Sequence, residues 1–211
     1  MVREVSTGSR VDRNARTFVK LETPELDRAA LFVAEDAIKR ALPGTRTVLL
    51  EVRDPAVYAA QTRALEEGGD ARRRVLPALG PILAQSRATH LVLFTKWRHE
   101  AMLQLPDGHA GSGQIEGLGF YIDRAMRLVN REASEPYLGF LSAFAYFRVS
   151  LIEVATGKVL GEESVFASET SLSVSGVNPW DTMTSQQKVS ALQSLVRREA
   201  ERVMPALLAK Q

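Results

Sequence analysis

Apolar residues recur every three or four positions in two segments, which is the spacing of one buried helical face. The first segment follows a Thr-Pro-Glu start and predicts a helix over residues 24–42. The second opens on Thr184 with a Gln three residues later, a capping box, and predicts a helix over residues 184–208. We expect Val33 and Val196, one from each stripe, to be buried under a sheet.

The rest of the first half alternates between short β-branched runs and helical stripes. The runs predict strands at residues 17–21, 47–52 and 90–94. A short helix is predicted to start at Asp54-Pro55 and to end before Gly68, and a second helix is predicted over about residues 70–85, interrupted near Pro77 or Pro81. Strands that alternate with helices favour parallel crossovers, so parallel pairing is expected here.

The second half is rich in β-hairpin signals. A long β-rich run over residues 137–154 is followed by an Ala-Thr-Gly-Lys turn and a return strand over residues 159–167. We expect residues 144–151 to lie in the core, and residues 168–181 to form a polar loop. The predicted fold class is therefore α/β: a mixed β-sheet with packing helices, a β-hairpin-rich second half and a C-terminal helix.

The composition limits the class of protein, the number of domains and the kinds of site that are expected. Its 211 residues carry 27 Lys and Arg against 25 Asp and Glu, the range of an ordinary globular protein. Because apolar segments continue to the end, we predict a polar leader over residues 1–15 and a single domain over residues 16–211. The absence of Cys excludes disulfides and thiolate metal sites. No apolar run is long enough to predict a transmembrane helix.

Residues 108–119 have the most unusual local composition, since the segment 106–119 contains five glycines. No Lys-Ser or Lys-Thr follows the last Gly, as a phosphate-binding loop requires. Glu116 occupies the third glycine position of a dinucleotide pattern, and a strand rather than a helix is predicted after it. We expect residues 109–114 to be a mobile hairpin loop that leads into a strand near Glu116.

If this loop binds a ligand or a partner, the candidates are residues of the glycine-rich segment together with two aromatic residues outside it. The candidate binding residues are Gly111, Gly113, Gln114, Glu116, Tyr121 and Trp180. Replacing Gly111 and Gly113 by Ala would then change affinity more than stability.

Other chemistry has little support in the sequence. His90, His99 and His109 are nine and ten residues apart, a spacing that no single helix or strand face brings together, so no metal site is predicted. Ser112 is in no nucleophile elbow and has no assigned base. No catalytic residue and no cofactor is predicted. The basic residues alternate with acidic ones, which disfavours nucleic-acid binding.

Residues 147–160 read Phe-Arg-Val-Ser-Leu-Ile-Glu-Val-Ala-Thr-Gly-Lys-Val-Leu. This hairpin resembles one in bacterial envelope proteins related to the TolB amino-terminal domain and to curli-secretion lipoproteins, which also have a strand like residues 88–93. Residues 116–121 resemble a segment of uncharacterised bacterial envelope proteins. The resemblance implies a periplasmic or outer-membrane-associated assembly factor. An amino-terminal Cys for lipid attachment, which a lipoprotein needs, is missing.

Two hypotheses follow. The first is a non-enzymatic cell-envelope module that binds an envelope protein, located in the periplasm or at the outer-membrane periphery if an export segment has been trimmed. The second is a cytoplasmic small-ligand-binding protein or enzyme that uses residues 108–119. Both hypotheses are compatible with a homo-oligomer.

Overall fold

A computed structural model describes residues 4–9, 17–20, 25–50, 52, 54–128 and 137–209. The chain begins with strands β1 (Glu4–Ser9) and β2 (Thr17–Lys20), followed by helices α1 (Glu25–Ala41), α2 (Pro55–Glu66) and α3 (Ala71–Ser86). Strands β3 (His90–Lys96), β4 (Arg98–Glu100), β5 (Leu103–Leu105) and β6 (Gly108–Ala110) come next. The long strands β7 (Gln114–Leu128), β8 (Tyr137–Glu153) and β9 (Val159–Val174) precede a short 3₁₀ turn and helix α4 (Ser185–Leu208).

Strand β8 is the centre of the sheet. One of its edges pairs with β7 and, further along, with β3, while its other edge pairs with β9. All of these pairings are antiparallel. In the described residues only β1 and β7 pair in parallel, so the expected parallel crossovers in the first half are wrong. The α/β class with a mixed sheet is confirmed, as is the 147–160 hairpin.

The side chains of β8 alternate between two cores because both faces of the sheet are covered. One face packs under α1 and α4, where Val33 and Val196 are buried as predicted. We call this the helix-side core. On the opposite face, the β5–β6 hairpin covers a second core around Phe144 and Tyr146, the hairpin-side core. Helices α2 and α3 cover the same face further along, beside β3.

Both long helices begin and end close to the predicted residues. Helix α1 covers residues 25–41, and α4 starts at the predicted capping box, in which Thr184 and Gln187 each hold the other's backbone amide. Helix α3 is continuous through Pro77 and Pro81, so the predicted interruption is wrong. Both prolines lie on the exposed side of the helix, where each removes one backbone hydrogen bond without ending the helix.

Three further expectations differ from the structure. Residues 47–50 form no strand, and Val48 and Leu49 are about half exposed. Strand β9 continues to Val174, so the predicted start of the polar loop at residue 168 is seven residues too early. Within the predicted leader, residues 4–9 form β1 and pair with β7. No described helix is long and apolar enough to cross a membrane.

Candidate functional site

The glycine-rich segment is built into the β5–β6 hairpin and the start of β7. Gly111 has a φ of +120°, and a Cβ there would lie 2.7 Å from the carbonyl oxygen of Ala101. Gly113 has a φ of +71°, and its carbonyl accepts a hydrogen bond from the Ala101 amide at 2.9 Å. Both glycines therefore let the chain pass close to Ala101.

Tyr121, on β7, forms a hydrogen bond with the same segment. Its side chain is fully buried, and its hydroxyl accepts a hydrogen bond from the Ser112 amide at 3.1 Å. The two hydroxyl oxygens of Ser112 and Tyr121 lie 3.2 Å apart. The hairpin loop predicted over residues 109–114 is shorter in the structure, since residues 109–110 belong to β6 and Gln114 begins β7, which leaves residues 111–113 between the strands.

Glu116 forms an ion pair with Arg98. It lies opposite Arg98 in the β4–β7 pairing, and Arg98 Nε donates to its carboxylate at 2.6 Å. A second guanidinium nitrogen of Arg98 contacts the same oxygen. The Glu116 residue is 6% exposed. Gln114, two residues earlier, is exposed and lies opposite Glu100. The pair fastens β4 to β7.

Trp180 lies away from the other candidates, on the helix-side core. Its ring meets Phe120 edge to face at 5.7 Å, and the Lys188 ammonium lies 4.1 Å from its centroid. Lys188 Nζ donates to the Met183 carbonyl at 2.7 Å, and burial lowers the pKa of this lysine. Since Phe120 and Tyr121 point to opposite faces of β7, the six candidates do not form one site.

The structure instead brings together an aromatic surface that the sequence analysis missed: Trp97, His99 and Phe166. The rings of Trp97 and His99 are 4.8 Å apart, and each is 5.8 Å from Phe166. Phe166 is 51% exposed. Trp97 and His99 are two residues apart, shortly after the strand predicted at residues 90–94. This strand-like spacing is the signal in the sequence that could have indicated a shared face. Phe166 joins them only through the β8–β9 pairing and the turn of the chain at Trp97.

A charged network borders this surface. The Arg148 guanidinium lies 5.2 Å from the Trp97 ring centroid and 3.8 Å from Glu162. Glu162 accepts hydrogen bonds from Arg72 at 2.8 Å and from Ser150 at 3.0 Å. The network links α3 to β8 and β9, and the Arg148 guanidinium lies over the indole at its border.

On the other side of Phe166 a cleft of about 280 Å³ opens between β9, the β5–β6 hairpin and α4. Its lining residues are Met102, Gln104, His109, Phe166, Ala167, Ser168, Arg198 and Glu199. His109 is the one residue of segment 108–119 in this lining. Across the described residues, no group of three or more His, Asp and Glu side chains is arranged to hold a metal ion.

No protein-family model and no curated protein matches the chain. Function must therefore be argued from the aromatic surface, the cleft and the contacts around them.

Proposed function

We propose that this protein is a non-enzymatic binding module of the bacterial cell envelope that acts through contacts with another protein. The observation that carries the proposal is the half-exposed Phe166 at the centre of the aromatic surface. Aromatic side chains that are rigidly packed and still exposed are enriched where proteins bind one another. Trp97 and His99 hold the Phe166 ring on one side, so little side-chain entropy is left to lose on binding.

The contacts within residues 108–119 give less support to a small-ligand site or an enzyme built on that segment. The Ser112 amide and the carbonyl of Gly113 are bound within the chain, and Glu116 is paired with Arg98. A phosphate would need free amide donors such as that of Ser112, and a polar substrate with N–H or O–H donors would need the carbonyl and the carboxylate. These groups hold the hairpin on the sheet instead.

The envelope location rests on the resemblance of the hairpin at residues 147–160 to TolB-type and curli-secretion proteins. Fractionation of the native host, with the full reading frame expressed from its own promoter, tests it. We expect the protein in the periplasmic or outer-membrane fraction. Recovery with the cytoplasmic markers would contradict the envelope part of the proposal and leave the binding part standing.

Site-specific photo-crosslinking tests the binding part. A photoreactive amino acid at position 99 places the probe on the aromatic surface, and the same amino acid at position 90 is the control, because His90 is an exposed histidine at the far end of β3. We expect one discrete crosslinked protein from position 99 in the native host and none from position 90. The Phe166→Ala variant should reduce that crosslink, whereas Phe32→Ala, which removes an exposed phenylalanine of α1, should not. Equal capture at positions 99 and 90 would refute the aromatic surface as the contact.

A further inference from the structure

The cleft beside Phe166 follows the edge of a strand. It is lined by Phe166, Ala167 and Ser168, three consecutive residues of β9. Consecutive side chains of a strand point to opposite faces of a sheet, so a cleft that touches all three runs along the strand edge. In the described part of the chain, β9 pairs with β8 alone. Its outer backbone groups there have no partner strand.

Two walls enclose this edge. On one side is the β5–β6 hairpin, whose Gln104 amide donates to the Ser168 hydroxyl at 2.7 Å and holds the wall in place. On the other side is α4, which contributes Arg198 and Glu199. We call the space between the walls, with the edge of β9 as its floor, the edge groove.

The two walls differ in chemistry. On the hairpin side the groove presents apolar surface: Met102 is 39% exposed, and Phe166, the β9 residue whose side chain points to this side, is 51% exposed. On the α4 side, the Glu199 carboxylate is shared by Arg198 at 3.1 Å and Arg202 at 2.7 Å. Two guanidinium groups, both more than half exposed, face one carboxylate. The α4 wall therefore carries excess positive charge.

We propose that the edge groove binds an extended segment of the partner protein by strand addition to β9. Side chains of the added strand alternate between the walls, so the segment that fits has apolar residues facing Phe166 and Met102 and acidic residues facing Arg198. The proposal rests on the proposed function and specifies the partner's chemistry. A lone segment fits the groove better than a second folded copy, which would bring its own α4 and hairpin against the same walls.

Selection from a phage-displayed library of random ten-residue peptides tests this chemistry on the full chain. We expect the peptides selected by the wild-type protein to alternate apolar and acidic residues. A synthetic peptide of the consensus sequence should bind Arg198→Glu at least tenfold more weakly than wild type. Arg197→Glu is the matched control, because Arg197 is 70% exposed on the same helix and does not line the groove. Its affinity should stay within twofold of wild type.

Backbone pairing is tested by methylating the amide nitrogens of the consensus peptide one at a time. An added strand presents alternate N–H groups to its neighbour, so we expect affinity to fall at every second position. Loss of affinity without alternation, equal binding by Arg198→Glu and Arg197→Glu, or failure to select any consensus would refute strand addition. A wild-type dimer in analytical ultracentrifugation that Arg198→Glu dissociates would assign the groove to a second copy and refute the proposal in that way.

The two proposals fail separately. Crosslinking from position 99 with no peptide in the edge groove leaves the protein-binding function intact and removes only strand addition. Peptide binding in the groove without any crosslinked protein in the native host would remove the proposed function while the groove keeps its peptide specificity.

Discussion

The Tyr146 hydroxyl on β8 accepts a hydrogen bond from the Met102 amide at 2.9 Å, across a separation of 44 residues. The same hydroxyl lies 3.4 Å from the Met102 carbonyl, to which it donates. This contact ties the segment between β4 and β5 to the centre of the sheet. It thereby positions the hairpin wall of the edge groove.

Removing that hydroxyl by Tyr146→Phe should lower the free energy of unfolding by about 1–2 kcal/mol at pH 7, because the Met102 amide loses its partner. Burial raises the pKa of Tyr146 above its ordinary value of 10.0. The neutral phenol is therefore favoured in the folded state. Its contribution to the free energy of unfolding is complete below about pH 10 and is lost as the pH rises through the folded pKa of Tyr146. Urea unfolding from pH 7 to 11 should show the difference between wild type and variant shrinking above about pH 10. A difference that stays constant over this range would contradict the assignment.

Gly111→Ala should destabilise the protein by about 2 kcal/mol, since it places a side chain at positive φ and against the Ala101 backbone. Gly80→Ala is the control: Gly80 lies in α3 with open space around it but directly precedes Pro81, so alanine should change stability by less than about 1 kcal/mol. Thermal or urea unfolding measures both. This reverses the expectation from sequence that alanine at Gly111 would alter affinity more than stability. Full retention of stability in Gly111→Ala would restore that expectation.

Glu116→Ala should cost about 3 kcal/mol of stability, because it leaves the largely buried Arg98 guanidinium without its carboxylate. Glu67→Ala removes the exposed ion pair with Arg74 and should cost at most about 1 kcal/mol. Denaturant unfolding at pH 7 compares the two variants. Equal losses would mean that the Arg98 charge is solvated when its partner is removed.

The helices and the main hairpin could be predicted because their signals are local. Thr184 and Gln187 lie within one turn, and the turn between β8 and β9 fixes which residues face each other across it. Residues 47–50 show the limit of this reasoning. A β-branched run favours extended backbone but does not supply a neighbouring strand, and here the Thr47 hydroxyl bonds to Glu35 of α1 instead.

The sites depend on contacts between distant residues, and these were not predictable from spacing. Trp97 and Phe166 are far apart in the sequence and meet because β3, β8 and β9 pair side by side. The glycine content of residues 108–119 predicts a mobile loop, yet Gly111 is explained by its close approach to Ala101 rather than by loop freedom. The polar end of β9 has the composition of a loop because an edge strand needs few apolar residues.

The Tyr121→Phe variant tests whether residues 109–114 are a mobile loop, as the sequence predicts, or are held by hydrogen bonds, as in the structure. Phenylalanine keeps the buried ring beside Phe140, whose centroid lies 6.1 Å away, and removes only the hydroxyl that receives the Ser112 amide. We expect the Ser112 amide to be protected from hydrogen exchange in the wild type and to exchange about tenfold faster in the variant, as loss of about one hydrogen bond implies. The Ala101 amide is the internal control, because it bonds to the Gly113 carbonyl and not to the phenol. Equal acceleration at Ser112 and Ala101 would indicate general loosening of the hairpin. Exchange of the Ser112 amide at the rate of a free peptide in the wild type would instead support the mobile loop expected from the sequence.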